Sequence, residues 1–238
     1  MLPTSGERAP VTLTVGVLGG MGPAATLDFL AKLHAATPAT VEADYLRVLV
    51  DSNPRVPGRN AALAHDGPSP GPALAVMARG LVGAGAQLLA MPCNAAHHWA
   101  GEIVAAAGVP LVSMIDAAVA AVASSGARRV GVLAADATLR ARLYAAAFDR
   151  AGIAQVEVDS AVFMPLLLRI KAGDTGDAMR DAMARLAAGL VDAGADSILA
   201  ACTEVPLVLQ SGHVAVPLID ATAALVDAVL VAAHKHPN

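Results

Sequence analysis

Aromatic side chains are nearly missing: one tryptophan, two tyrosines and three phenylalanines among 238 residues. A core cannot be built here from large rings, so the 56% apolar content, much of it alanine, points to many closely packed helices. Cysteine is equally scarce. Two cysteines cannot form a disulfide framework, and a soluble, reducing, cytoplasmic setting is expected. Clusters of basic residues are absent and the net charge is −4, which excludes the counterion-replacing surface of a nucleic-acid partner. The longest uncharged run, 80–101, is broken by Gln87, Pro92, Asn94, His97 and His98, so it is not a membrane span. No apolar signal core precedes residue 11, and 1–10, with Pro3, Gly6 and Pro10, reads as a loose leader.

What the chain does have is alternation. Residues 11–18 read as a buried strand, followed by Gly19-Gly20-Met21-Gly22-Pro23 and a helix over 24–36 with Leu27, Leu30, Leu33 and His34 on one face. Further strands are expected at 45–50, in the apolar run before Cys93, and at 109–115, 129–133, 156–158, 197–201 and 216–219. Helices fall between them, among them 117–124, 137–151, 163–171 and 177–192. Strands that alternate with helices predict an α/β fold with parallel sheets.

The second cysteine repeats the context of the first. Ala84-Gly85-Ala86 leads to Cys93 and Ala193-Gly194-Ala195 to Cys202, with eight residues from glycine to cysteine each time. Gly131-Val132-Leu133 echoes Gly16-Val17-Leu18, and Val216-Pro217-Leu218 echoes Val109-Pro110-Leu111, each strand closing on an aspartate, Asp116 or Asp220. The expected architecture is therefore two pseudo-symmetric Rossmann-like domains with the active site in the cleft between them. One comprises 11–116 with 222–238, carrying Cys93 and closed by the C-terminal helix; the other comprises 117–221 and carries Cys202.

Strand ends are where open α/β sheets bind ligands. A thiolate is a competent base and a thiol a competent acid near neutral pH. Asn94 and Thr203 read as helix caps, and a helix N-terminus would favour the thiolate. Two thiols on either side of one molecule can remove a proton from one face and return one to the other, which inverts a stereocentre. A single buried cysteine is usually inert; the duplicated context is what favours function. Cys93-x3-His97-His98 offers metal-ligand types, but no second cluster matches it, so no metal is expected. Gly20-Met21-Gly22-Pro23-Ala24-Ala25 fits G-x-G-x-x-A, leaving open a dinucleotide loop, a carboxylate cradle or a tight turn. Arg59, on a Pro/Gly-rich loop, reads as surface or as a clamp for an acidic group.

Together these residues resemble the aspartate/glutamate racemase family, in its aspartate racemase branch, over nearly the whole chain from Val15 to Leu230. The resemblance is carried by residues 16–26, by Asn53-Pro54 with Pro57 and Arg59, and by Met91-Pro92-Cys93-Asn94 with Ala96-His97. It continues in Ile170-Lys171-Ala172-Gly173, Cys202-Thr203-Glu204-Val205-Pro206-Leu207 and Pro217-Leu218-Ile219-Asp220. It implies racemisation of aspartate or a close acidic amino acid without pyridoxal phosphate, metal or other cofactor, in a homodimer. By the same resemblance, Cys93 and Cys202 are the acid/base pair. Asn94, Thr203 and the glycine loop (Met21, Gly22) hold the amino-acid head, and Asn53, Ala95 and Glu204 are also expected to bind the substrate. Arg59 and Lys171 read a distal carboxylate, and Glu204 stands where glutamate racemases have histidine. A broader or neutral specificity within the same fold is the alternative. Three departures stand out: Ala95 for the usual threonine, Gly58 for an aspartate and Ala201 for a glycine. Loss of the hydroxyl at Ala95 removes a donor worth about 1–3 kcal/mol.

Overall fold

The structure, a computed structural model, describes residues 12–234. The leader expected at 1–10 and the last four positions of the 222–238 segment lie outside the described residues. The first half of the chain runs β1 (Val15–Gly19), α1 (Pro23–Ala36), β2 (Val48–Ser52), α2 (Arg59–Leu63), α3 (Gly71–Gly83), β3 (Leu88–Ala90), α4 (Ala100–Ala107) and α5 (Met114–Ser124). The second half runs β4 (Arg129–Leu133), α6 (Asp136–Arg140), α7 (Ala145–Ala151), β5 (Ala154–Glu157), α8 (Ser160–Lys171), α9 (Asp177–Asp192), β6 (Ser197–Ala200), β7 (Leu218–Asp220) and α10 (Ala221–His234).

The strands form two wholly parallel sheets, in the orders β2-β1-β3 and β5-β4-β6-β7. A parallel bridge between Leu89 and Leu111 extends the first sheet at the place where the second has β7. The sequence repeat is thus a repeat of hydrogen bonding. The Leu89 N–H donates to the Pro110 carbonyl at 2.8 Å, and the Ile198 N–H donates to the Pro217 carbonyl at 2.9 Å. Glycine is required at equivalent points of β1 and β4. A Cβ on Gly16 would lie 2.8 Å from Ala86 Cβ, and one on Gly131 would lie 2.7 Å from Ile198 Cδ1.

Elsewhere local chemistry overrides the pattern. The strand expected at 109–115 shrinks to its single bridge because Ser113 caps α5, its Oγ accepting from the Asp116 N–H at 3.1 Å. Asp116 therefore sits in a helix, whereas Asp220 does end a strand. The helix expected over 137–151 is two helices, with Arg142 in the left-handed region (φ 50) between them. On α1 the buried positions include Phe29 and Leu33, while Leu27 is 68% exposed, so the apolar stripe is displaced from the expected face. His34 instead stacks on Tyr45, which precedes β2, with ring centroids 4.5 Å apart.

One buried cluster joins the two sheets. Val15 and Val17 of β1, Val130 and Val132 of β4, and Leu225 and Val229 of α10 all belong to it. Helix α10 packs against both α1 and α5. No helix of the described residues is long and apolar enough to cross a membrane.

Candidate active site

Cys93 follows β3 and Cys202 follows β6, so equivalent strands of the two sheets each deliver one thiol past their carboxyl ends. Each cysteine leads into a short 3₁₀ turn, Ala95–Trp99 or Val205–Leu207, rather than into the expected capped α-helix. Asn94 occupies the N-cap position of its turn without a side-chain capping bond, and Thr203 lies one residue before the N-cap of its turn, Glu204. The Asn94 Oδ1 accepts from the Tyr144 hydroxyl, and the Thr203 Oγ1 donates to Glu204 Oε2 at 3.3 Å.

Both cysteines line one cavity of about 200 Å³ between the two halves, together with Met21, Arg59, Asn94, Ala95, Lys171, Thr203 and Glu204. Gly22 lies outside it, on a neighbouring cavity. Asn53 lines neither of these two cavities. Its Oδ1 accepts from the Arg55 N–H at 3.0 Å, and its backbone abuts Gly20, where a Cβ would come within 2.4 Å of it. Asn53 therefore shapes the glycine loop. That loop uses the Gly20 amide internally, donating to Thr26 Oγ1 at 2.9 Å, and Pro23 has no amide to offer. This leaves poor terms for a pyrophosphate.

The charges in the cavity are arranged around Cys202. Its Sγ donates to Glu204 Oε2 at 3.1 Å, and Lys171 Nζ pairs with Glu204 Oε1 at 2.5 Å. Burial pushes the Cys202 thiol well above its usual range, and the Glu204 carboxylate adds to the push against a smaller opposing pull from Lys171. The fold thus holds Cys202 as a thiol, the reverse of the helix-end thiolate expected from sequence. Burial works to lower the Lys171 pKa, but the charge and hydrogen bond of Glu204, together with the negative charge the two cysteines carry once ionised, outweigh it, and the ammonium is held above its ordinary value. Arg59 opens α2 with its guanidinium fixed by backbone carbonyls: Nη2 donates to Met21 O at 3.0 Å and Nη1 to Pro57 O at 3.4 Å. Among the described residues it has no carboxylate partner.

Two positioning residues lie outside the predicted set. His97 is buried; the Met114 N–H donates to its Nε2 at 3.0 Å, so the proton sits on Nδ1, which donates to the Cys93 carbonyl at 2.9 Å. Burial lowers its pKa and keeps it neutral. Tyr144 reaches across from the second half to Asn94, and burial raises its phenol pKa. With Oδ1 occupied, the Asn94 Nδ2 is left as a buried donor with no partner among the described residues, beside the cavity. A second crossing bond runs from the Ala137 N–H to Asn60 Oδ1 at 3.0 Å. His97 stood in the motif but gave no sign of its two bonds, and a tyrosine in an apolar helix reads as core. Among the described residues, no group of three or more His, Cys, Asp or Glu side chains is placed to hold a metal ion.

Two cysteines from equivalent strand ends of duplicated α/β halves thus line one cavity. The chain belongs to the Asp/Glu/hydantoin racemase family, whose sequence profile matches residues 18–229. It is similar to the solved Picrophilus torridus aspartate racemase, at 30% identity and a TM-score of 0.87, over 95% of this chain and 96% of that one. It is 26% identical to the broad specificity amino-acid racemase RacX of Bacillus subtilis, over 89% of this chain and 94% of the relative. With the glutamate racemase of Pseudomonas aeruginosa it shares 36% identity over 127 residues, 52% of this chain and 48% of that enzyme, so it spans about half the length of that relative.

Proposed function

We propose that this protein is an isomerase, a racemase that interconverts L- and D-aspartate or a close acidic amino acid without a cofactor. Proton transfer runs between Cys93 and Cys202. The observation that carries the reading is that both cysteines face one cavity, from equivalent strands, with two cations at its edge.

In this mechanism the substrate's α-carboxylate takes the free Asn94 Nδ2 and the Thr203 region, and its side chain lies toward Arg59 and Lys171. A thiolate at Cys93 takes the α-proton, breaking Cα–H and forming S–H. The Cys202 thiol then returns its own proton to the other face of the carbanion, leaving a thiolate there. The reverse direction exchanges the two roles. The state of Cys202 supports its part as donor, since burial and Glu204 keep the proton on sulfur. Similarity to an aspartate racemase supports an acidic substrate, as does Arg59, which has no carboxylate partner among the described residues.

The test is solvent deuterium exchange at the α-carbon of L- and D-aspartate, followed by chiral chromatography. Cys93→Ser and Cys202→Ser are each expected to abolish inversion. Wild-type turnover in either variant would end the two-base account. Arg59→Ala is expected to raise KM for aspartate by roughly 10–100-fold, as loss of a charge-assisted pair should.

A second reading, broad specificity toward neutral amino acids, is favoured by the match to RacX and by Lys171 already being paired with Glu204. Unchanged aspartate kinetics in Arg59→Ala would select it. We further propose a cytoplasmic homodimer, in which 222–234 belongs with the Cys93 half; light scattering on the purified chain checks the assembly.

A further inference from the structure

A second cavity, of about 220 Å³, adjoins the one that holds the cysteines. The two share Met21, Arg59, Lys171 and Glu204, which form the partition between them. The far side is built from the glycine loop, the first turn of α1 at Pro23 and Ala24, and Pro54. Neither cysteine lines it, so it carries no acid/base group for the α-carbon.

What it carries is binding capacity. A guanidinium has five N–H donors and an ammonium three. Two of the Arg59 nitrogens go to backbone carbonyls and Lys171 makes one bond to Glu204, so cationic donors remain for a ligand. Two cations against one carboxylate leave a single positive charge in the partition, which one carboxylate group would neutralise. The rest of the partition is deformable. Met21 is an unbranched thioether that adapts to what packs on it. Glycine at position 22 also leaves room beside Glu204, since a Cβ there would stand 3.2 Å from Glu204 Oε1. Ile170 adds an apolar wall suited to methylenes.

We propose that this second cavity is the far lobe of one bilobed site. It takes the distal carboxylate of an acidic amino acid two methylenes longer than aspartate, while the α-carbon stays between the cysteines. The inference rests on the racemase reading and widens its substrate class. Aspartate fills the near lobe and meets Arg59 and Lys171 at the partition. A side chain two methylenes longer carries its carboxylate past Met21, with the same two cations facing it from the other side.

The test is the ratio of kcat/KM for L-2-aminoadipate to that for L-aspartate, read by α-proton exchange in the intact protein and in Ala24→Trp. Ala24 is exposed on α1 and lines only the far lobe of the two, so an indole there shortens that lobe. The expected result is wild-type exchange with both substrates and a ratio that falls about tenfold or more in the variant, the scale on which pockets discriminate methylenes. A thermal melt confirms that the variant is folded. If the wild type exchanges aspartate but not 2-aminoadipate, or if the ratio does not move, the far lobe is not part of the site and the racemase reading stands. If neither amino acid exchanges, that reading fails and the inference fails with it.

Discussion

His97 spends both ring nitrogens on the backbone, accepting from Met114 and donating to the carbonyl of Cys93. A proton added at Nε2 would displace the Met114 N–H, and burial resists the charge, so the folded-state pKa is lowered. The unfolded chain therefore takes up a proton below about 6.5 that the folded chain refuses. Stability from His97 is complete above that pH and declines, by about 1.4 kcal/mol per pH unit, as the pH falls toward the folded-state value. Urea titrations between these pH values are expected to show that slope, and His97→Gln, which can still donate and accept, to flatten it. Glu204 acts on the other thiol. Glu204→Gln removes a charge that raises Cys202, so alkylation of Cys202 by iodoacetamide in a Cys93→Ser background is expected to speed up at fixed pH. An unchanged profile would mean that burial alone sets this thiol. The sequence displays the cysteines through their duplicated strand-end contexts, and Arg59 and Lys171 only through the resemblance to the racemase family. It hides the Lys171–Glu204 pair, which closes across 33 residues and depends on how α8 meets the turn after β6.

At the scale of elements, β4 and α9 match their expected spans, since each has a clean period and distinct ends. The region 109–115 and the helix 137–151 do not, and both exceptions help to build the site. Ser113 stops a strand in order to cap α5, and the left-handed Arg142 splits a helix so that Tyr144 can reach Asn94. A β-branched run carries no sign of the first, and an alanine-rich run carries none of the second. Tyr144→Phe is expected to cost about 1–3 kcal/mol by leaving the buried Asn94 oxygen unpaired. It should also raise KM more than it lowers kcat, because the amide loses its fixed orientation; steady-state kinetics and urea melts read the two effects. Gly16→Ala and Gly131→Ala force a methyl against packed neighbours at equivalent points of the two sheets. Each is expected to destabilise by about 1–3 kcal/mol in chemical denaturation, and the two costs should be alike.

For the molecule as a whole, the duplicated halves and the parallel sheets are legible as soon as the two cysteine contexts are aligned. The shared core is not, because it depends on α10 returning to pack on α1 and α5. With one cluster spanning both sheets, calorimetry is expected to show a single transition. Leu225→Ala, at a fully buried position of α10, is expected to lower its free energy by about 2–5 kcal/mol. The repeat also has a kinetic consequence. Cys202 lies 109 positions after Cys93 (202 − 93), and the same offset sets Glu204 against Ala95, a buried carboxylate against a methyl. The two arms of the proposed proton couple are therefore unequal, while the reaction they would catalyse has an equilibrium constant of one. The Haldane relation then forces kcat/KM to be identical for the two enantiomers. The whole inequality between the arms must appear as a matched difference in kcat and KM, so the enantiomer that turns over faster is also the one that saturates later.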